Sequence, residues 1–194
     1  MRVAIFGGTF NPVHKGHIFL AVQAKRILKL DKVIFVPARI PPHKVPAGII
    51  NPAKRFHMIR LAVSGKKGLN VSRYELDKKG KAYSIDTVRY FRKILPKRTR
   101  LYFLTGADVI NGLDAWKESE KLFTLCDFVI FSRPGFRLGP KESGFKTLDI
   151  NALDVSSTMI RGLILENRPI NGLVPGPVEA YIAREGLYRQ GLNL

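Results

Sequence analysis

Two short segments of this 194-residue chain concentrate residue types that hold phosphate. The first reads Gly7-Gly8-Thr9-Phe10-Asn11-Pro12-Val13-His14-Lys15-Gly16-His17. Glycines let backbone approach a ligand closely, and a helix starting just after them aims unsatisfied N–H groups at the same point. His14 and His17 are three apart, which places both imidazoles on one face of a first helical turn. Both can donate to phosphate oxygens, and a polyphosphate beside them favours their protonated forms. The second segment reads Asp154-Val155-Ser156-Ser157-Thr158-Met159-Ile160-Arg161. One hydroxyl suffices to cap a helix, so three in succession offer more donors than a cap needs. Arg161, one turn on, adds a guanidinium fork able to hold two oxygens. Neither segment is one of the common phosphate loops, since the chain has no G-x-G-x-x-G and no G-x-x-x-x-G-K-[ST]. Histidines three apart can also chelate, but no nearby Cys or carboxylate completes a ligand set, so no protein-held metal is expected.

The elements that must position these residues alternate between short apolar runs and helical patterns. Val3-Ala4-Ile5-Phe6 predicts a buried strand stopped by Gly7-Gly8, and Ile18, Ala21, Val22, Lys25 and Leu28 follow at helical spacing. Val33-Ile34-Phe35-Val36 predicts a strand ending at Pro37. After a long Pro-containing connection, Asn51 and Pro52 suit the N-cap and first position of a second helix. Residues 69–76 alternate like a strand, and Ser84 is placed to cap a helix running to about Leu95. Leu101–Leu104 and Phe128–Phe131 are two more buried runs, 133–144 reads as a loop, and helices begin at Ser156 or Ser157 and again at Pro177. Fully apolar strands alternating with helices define the α/β class, with a doubly wound, mostly parallel, Rossmann-like sheet and C-terminal helices. Ligands of such sheets lie beyond the carboxyl ends of the strands, which is where both segments belong.

The length fits one domain over residues 1–194, with its C-terminal helical part at about 156–190. Hydrophobic residues at 45% against 25% charged exclude a disordered chain. A single cysteine, Cys126, excludes an internal disulfide framework and a cysteine-rich zinc site. Its place between a helix and a strand reads as buried packing, and His57, on a helix with no evident partner, reads as structural. No apolar run approaches the ~20 residues of a membrane span, and MRVAIFGG is too short in its apolar core for a signal peptide. A cytoplasmic location without membrane partners is expected. Charge is the abnormal quantity: 33 Lys and Arg against 15 Asp and Glu give +18. A balance this basic points to polyanionic partners, whether nucleic acid, anionic lipid or phosphorylated small molecules. No nucleic-acid motif and no interleaving of aromatic and basic residues accompanies it, so no specific nucleic acid is expected.

The segment Gly8–His17 resembles the H-x-G-H signature of the nucleotidyltransferase superfamily, and Val155–Arg161 resembles its S-S-T-x-x-R partner. Within the superfamily the likeness is to the bacterial nicotinate-nucleotide adenylyltransferases. Pro41-Pro42-His43-Lys44, Tyr83–Thr87, Gly106-Ala107-Asp108, the Trp116 neighbourhood, Arg133-Pro134-Gly135 and Glu185–Tyr188 follow in that family's order. The resemblance therefore covers nearly the whole chain. It implies transfer of the adenylyl group of ATP to nicotinate mononucleotide, giving nicotinate adenine dinucleotide and pyrophosphate in NAD biosynthesis, with Mg²⁺ carried by ATP.

The resemblance also implies roles. His14, His17 and Arg161 would be catalytic. Gly8, Thr9, Phe10, Gly16, Gly106, Asp108, Ser156, Ser157 and Thr158 would bind ATP, with Asp108 on the ribose. Trp116 would stack on the pyridine ring, Ser84 would bond its carboxylate, and Lys44 and Arg133 would meet phosphates. Asn11 stands where relatives often carry Asp, Ser84 replaces a more usual Thr, and Arg39 falls where an amide is common. The added cation suggests that Arg39 contacts the mononucleotide phosphate. A preference for nicotinamide mononucleotide, a sister adenylyltransferase and, from another class, a basic nucleic-acid-binding protein remain as alternatives. The oligomeric state stays open.

Overall fold

The computed structural model describes residues 1–39, 48–78, 83–106, 116–132, 145–150 and 153–189. Six strands form one sheet: β1 (Arg2–Gly8), β2 (Lys32–Pro37), β3 (Leu69–Val71), β4 (Arg100–Gly106), β5 (Asp127–Ser132) and β6 (Lys146–Asp149). The helices of the described residues are α1 (Lys15–Ile27), α2 (Pro52–Val63), α3 (Tyr74–Asp77), α4 (Ser84–Ile94), α5 (Ser119–Leu125), α6 (Ser157–Leu165) and α7 (Gly176–Arg184). Strand order is β3-β2-β1-β4-β5-β6 and every pairing is parallel, so the expected doubly wound α/β fold with C-terminal helices forms. Winding reverses between β1 and β4, where Ile5 pairs with Ile34 on one side and Phe103 on the other. A crevice at this reversal is where such sheets take ligands.

Side-chain alternation divides the core into two layers. Ala4, Phe6, Val33, Phe35, Tyr102, Leu104, Val129 and Phe131 face one side, under residues of α1, α2, α6 and α7. Val3, Ile5, Val36, Leu101, Phe103, Phe128 and Ile130 face the other, under α4 and α5. Strands apolar on both faces are the reason the sheet must be covered twice. Each of these fully buried side chains contributes about 1.5–3 kcal/mol of transfer free energy.

Several local expectations are corrected. β1 does not stop before Gly7-Gly8 but runs through both, because Gly7 and Gly8 still pair with Val36 and Pro37 of β2. Val22 is not on the buried face of α1; that face is made by Gly16, Ala21 and Ala24, and Val22 is exposed. The alternation over 69–76 yields only three strand residues. Ser72 gives its N–H to the Phe35 carbonyl as the ladder's last bond, then its hydroxyl accepts from the Tyr74 amide and starts the turn into α3. Ser84 is the first residue of α4 rather than its cap. Tyr83 takes the extended cap conformation, and its carbonyl accepts from the amides of Asp86 and Thr87. Strand β6 had no counterpart in the sequence pattern, its four residues showing only one buried position. Asn51 caps α2 as expected, its Oδ1 accepting from the Ala53 amide at 2.8 Å.

Cys126 closes α5 and is buried, with its Sγ donating to the Leu122 carbonyl. Burial pushes its thiol up to about 12. Thiolate is the reactive form. At pH 8 a colorimetric disulfide reagent should therefore modify native protein more slowly than denatured protein by roughly 10²–10³-fold. Comparable rates would place the thiol at the surface.

Candidate active site

The loop after β1 turns sharply. Phe10 adopts a left-handed backbone with φ of 50°, and its ring packs edge-on against Phe6 at 5.5 Å. A Cβ at Gly8 would lie 2.8 Å from the Phe10 ring, which is buried and has nowhere to move, so glycine is required there. Leaving the loop, His14 forms the N-cap of α1 in extended conformation. Its backbone N–H donates to His17 Nδ1 at 3.3 Å, which in the neutral ring leaves the proton of His17 on Nε2. The two imidazole rings lie 3.6 Å apart, and the edge of Phe10 supports His17 at 5.0 Å. His14 is buried, and no hydrogen bond of good geometry reaches its Nδ1, although the His17 amide faces it. Burial lowers its pKa to about 4, so the imidazole is neutral at pH 7 until an anion arrives to favour its charged form.

The second segment arrives from the other end of the chain and grips the first. Ser157 donates its hydroxyl to the Pro12 carbonyl at 2.8 Å, and Arg161 donates to the Asn11 carbonyl at 2.8 Å and to Thr158 Oγ1 at 3.3 Å. Ser156 caps α6, accepting from the Met159 amide at 3.1 Å. Gly16 is the contact point: a Cβ there would come within 3.0 Å of both Val155 Cγ1 and His14 Nδ1. The glycine between the two histidines thus serves the meeting of the two segments. His14, Gly16, His17, Ser157, Thr158 and Arg161 are all brought to the loop containing Gly8, Thr9 and Phe10, and Gly106 ends the neighbouring strand β4.

Candidates for the acceptor side lie on the α4–α5 side of the sheet or beside it. Ser84 opens α4, whose first turn points unsatisfied N–H groups outward. Trp116 is half-buried, edge-on to Phe103 at 6.0 Å and to Phe128 at 5.9 Å. Arg39 donates to the Lys78 carbonyl at the end of α3. His57 packs at a tilt against Tyr181, ring centres 4.5 Å apart, in keeping with a structural role. Lys44, Asp108 and Arg133 lie outside the described residues.

Four residues were not singled out as site builders by sequence reasoning. Arg55 of α2 is fully buried and donates to four carbonyls: Thr9 and Ala38 at 2.7 Å, Ile50 at 3.1 Å and Arg39 at 3.2 Å. It thereby joins the loops that leave β1 and β2. Burial lowers its pKa to about 10, still charged at pH 7. Asn11, noted only as a departure from relatives, donates to the Gly48 carbonyl at 2.7 Å and accepts from the Ile50 amide and the Tyr188 hydroxyl. An Asp in its place would lose the donor. Tyr188 is buried, which raises its phenol above the usual range. Glu75, on α3, is buried and accepts from Thr87 Oγ1 at 2.6 Å, tying α3 to the first turn of α4. Burial raises it to about 7, against the opposing pull of the Thr87 bond and of Lys78, itself paired with Asp86. Arg55 could have been suspected from its place at the head of the apolar helical stripe continued by Met58, Ile59 and Ala62; nothing local marks Glu75.

Comparison with known proteins gives the family. Residues 5–163 match the family described as cytidylyltransferase-like. At 42% identity over 190 residues, spanning 97% of this chain and 100% of the relative, the chain is similar to the "Probable nicotinate-nucleotide adenylyltransferase" of Thermus thermophilus. A protein of the same name from Moorella thermoacetica is 39% identical, with 99% and 94% of the two chains covered. In fold the chain is similar to Plasmodium falciparum nicotinic acid mononucleotide adenylyltransferase complexed with NaAD, with a TM-score of 0.77 at 21% identity over 96% and 97% of the chains. The chain belongs to the cytidylyltransferase-like family and, within it, to the nicotinate-nucleotide adenylyltransferases.

Two predictions follow from the buried groups. In Arg55→Met four carbonyls lose their donor, each a loss of about 1 kcal/mol or more, so urea denaturation should show at least ~3 kcal/mol of lost stability. A loss below ~1 kcal/mol would mean that water replaces the guanidinium. The pH dependence is subtler. His14 titrates at about 4 folded against 6.5 unfolded, so between those values the unfolded state holds more protons and stability rises with pH. Glu75 titrates at about 7 folded against 4.5 unfolded, so over that window the folded state holds more protons and stability falls as pH rises. The two slopes oppose one another from 4.5 to 6.5. Glu75→Gln should remove the falling one, so its stability relative to the parent should grow from pH 4.5 to 7 by up to ~3 kcal/mol. A pH-independent difference between the two proteins would show that Glu75 titrates normally.

Proposed function

We propose that this chain transfers the adenylyl group of ATP to nicotinate mononucleotide, releasing pyrophosphate and forming nicotinate adenine dinucleotide. The observation that carries the reading is the grip of Arg161 and Ser157 on the loop that presents His14 and His17. The names of relatives about 40% identical over nearly their full length support the choice of acceptor. A single nucleotidyltransferase domain over 1–194 performs the reaction.

The phosphate of the mononucleotide is ionised at neutral pH and needs no side chain as base. It attacks the α-phosphorus in line with the departing pyrophosphate; the new P–O bond forms as the α–β bridge breaks, with no covalent enzyme intermediate. Catalysis is then positioning and charge stabilisation. His17, with its proton on Nε2, donates to the α-phosphoryl oxygens. His14 gains charge as the polyphosphate enters, which offsets its burial, and meets negative charge growing on the leaving group. Arg161 keeps one side of its guanidinium on the loop and turns the other to the β- and γ-phosphates, where Thr158 joins it. Ser156 and Ser157 hold the α6 start against that position.

Gly8, Thr9, Phe10 and Gly16 line the backbone approach to the phosphates, and Gly106 with Asp108 takes the adenosine side. Trp116 and Ser84 receive the pyridine ring and its carboxylate, and Arg39, Lys44 and Arg133 the acceptor phosphate. The groups converging on the loop are imidazole, guanidinium, hydroxyl and amide, a donor set for phosphate oxygens rather than for a hard cation. Mg²⁺ therefore enters as part of the substrate Mg-ATP.

Pyrophosphate release with Mg-ATP should show a large kcat/KM advantage for nicotinate mononucleotide over nicotinamide mononucleotide and phosphopantetheine. Preference for the amide would move the carboxylate contact away from Ser84. His17→Ala should lower kcat by roughly 10²–10³, the scale of one preorganised charge-stabilising contact. Near-normal turnover in the folded variant would remove His17 from the mechanism.

A further inference from the structure

The reaction does not account for the +18 charge, and its placement in the fold shows why. In a parallel sheet every helix-to-strand connection returns to the amino-terminal end of the strands, the pole opposite the chemistry. In this chain those returns carry the charge. The α1–β2 turn contributes Lys29 and Lys32, the α2–β3 turn Lys66 and Lys67, and the α4–β4 turn Lys97 and Arg98, all exposed. Residues 1–2, 25–32, 64–68, 92–100, 126–127 and 145–146 together hold thirteen basic side chains against two carboxylates, Asp31 and Asp127. That is a surplus of eleven from the whole chain's eighteen. The seven residues of β1 separate this pole from His14 by about 20 Å. With a Debye length of about 8 Å, charge placed there does little to steer ATP to the other end.

The two carboxylates do not neutralise the pole. Asp127 is shared between Arg100 at 2.7 Å and Lys146 at 3.3 Å, and Asp31 accepts from the Arg2 backbone N–H. Arg2, Arg100 and Lys146 also crowd the ring of Tyr102, each 5.6 Å from its centre, with Arg2 donating to the Tyr102 hydroxyl. The Arg2 Nε is buried without a hydrogen-bond partner among the described residues. Asp127 joins Arg100 and Lys146, but its single charge does not offset three cations around one ring, and a further anion would relieve them.

The cations also lie in a row. Strand starts step across the sheet from β3 through β2, β1 and β4 to β5 and β6, at about 4.8 Å per strand, which makes a basic ridge roughly 24 Å long. One strand of duplex nucleic acid presents a phosphate about every 3.4 Å along its axis, so such a ridge spans about seven. We propose that the amino-terminal pole of the sheet is a docking surface for the phosphodiester backbone of nucleic acid, bound without sequence preference and independently of the catalytic end. Tyr102, the aromatic ring at its centre, is fully buried, so bases have no stacking platform there and the backbone is the part recognised.

The experiment measures binding of a fluorescein-labelled, mixed-sequence 24-bp DNA duplex to the full chain by anisotropy from 50 to 250 mM KCl. Two charge-matched triple variants are compared, Lys66→Glu/Lys97→Glu/Arg98→Glu on the pole and Arg168→Glu/Arg184→Glu/Arg189→Glu on the C-terminal helices. For the parent, a log–log salt slope of about −5 to −6 is expected from six or so phosphate contacts. The pole variant should bind at least tenfold more weakly with a slope shallower by about 3, and should keep its adenylyltransferase kcat/KM within twofold. The control variant should retain most of the affinity. Equal losses in both variants would overturn the proposal in favour of net charge alone. It would also be overturned by no binding at 50 mM KCl, or by capture on vesicles rich in phosphatidylserine without duplex binding, the result expected if exposed Ile27 and Ile94 beside the cations serve a bilayer.

Discussion

A loop that presents amide N–H groups to a polyanion must turn its carbonyls away from it, and those carbonyls need donors of their own. A peptide's C=O and N–H point in opposite directions, so pinning one aims the other. This requirement organises the site. Arg55 holds the Thr9 carbonyl and Ser157 the Pro12 carbonyl, which aims the Phe10 and Val13 amides, while Arg161 holds the Asn11 carbonyl, whose peptide ends at Pro12 and has no N–H to aim. The three donors come from α2 and from the start and second turn of α6, so the loop after β1 is shaped by residues 46 to 150 positions distant. Removing their donation would leave buried acceptors unsatisfied at about 1–3 kcal/mol apiece. The C-terminal helices thus complete the phosphate loop rather than decorate the sheet. Lys15 repeats the theme, its amide donating to the Leu173 carbonyl as α1 begins.

This dual use explains which parts of the site were legible in the sequence. The types and order of His14, Gly16, His17, Ser156, Ser157, Thr158 and Arg161 pointed to phosphate, and their convergence followed from a parallel sheet with its ligands at one end. The allocation of donors did not follow, because a hydroxyl reads the same whether it meets a phosphate or a carbonyl. Ser156 is occupied as a cap and Ser157 on Pro12, leaving Thr158 and the outer side of Arg161 as the more available groups. Arg55 was only partly legible, for a related reason: its position on an apolar helical stripe was visible but its partners were not. Its value lies in carbonyls from the two separate loops that follow β1 and β2, which no local pattern records. Glu75 lay in a stretch whose alternation suggested a strand, and only the tertiary partner Thr87 turned that residue inward. The fold class was more legible than the site, since apolar runs on both faces of four strands demand two covering layers. Strand β3 is legible in its alternation but shorter than that pattern suggests, and β6, with four residues and one buried position, carries too little pattern to be read.

Burial rather than ion pairing sets the electrostatics near the histidines. His14 and Arg55 are both cationic types taken out of water without a carboxylate against them among the described residues. For Arg55 four carbonyls compensate, and the charge persists. For His14 nothing comparable does, so the neutral form prevails until substrate supplies the anion. A site prepared in this way stores a preference for negative charge without the self-repulsion of two imidazolium rings at 3.6 Å. In the proposed reaction the entry of a triphosphate would both neutralise Arg161's outward charge and draw a proton onto His14, coupling binding to protonation.

The two ends of the sheet solve opposite problems with the same residue types. At the carboxyl ends, among the described residues, Arg55 and Arg161 are clamped by backbone carbonyls, each with a set geometry. At the amino ends cations are many, exposed and solvated, with geometry set only by the spacing of strands. A preorganised donor discriminates among ligands by position, whereas a ridge of mobile lysines responds to charge density and yields to salt. Parallel topology keeps the two apart by the length of a strand, so that a substrate small enough to reach His14 is bound by the first kind of surface. A long polyanion, too large for the crevice, is met only by the second.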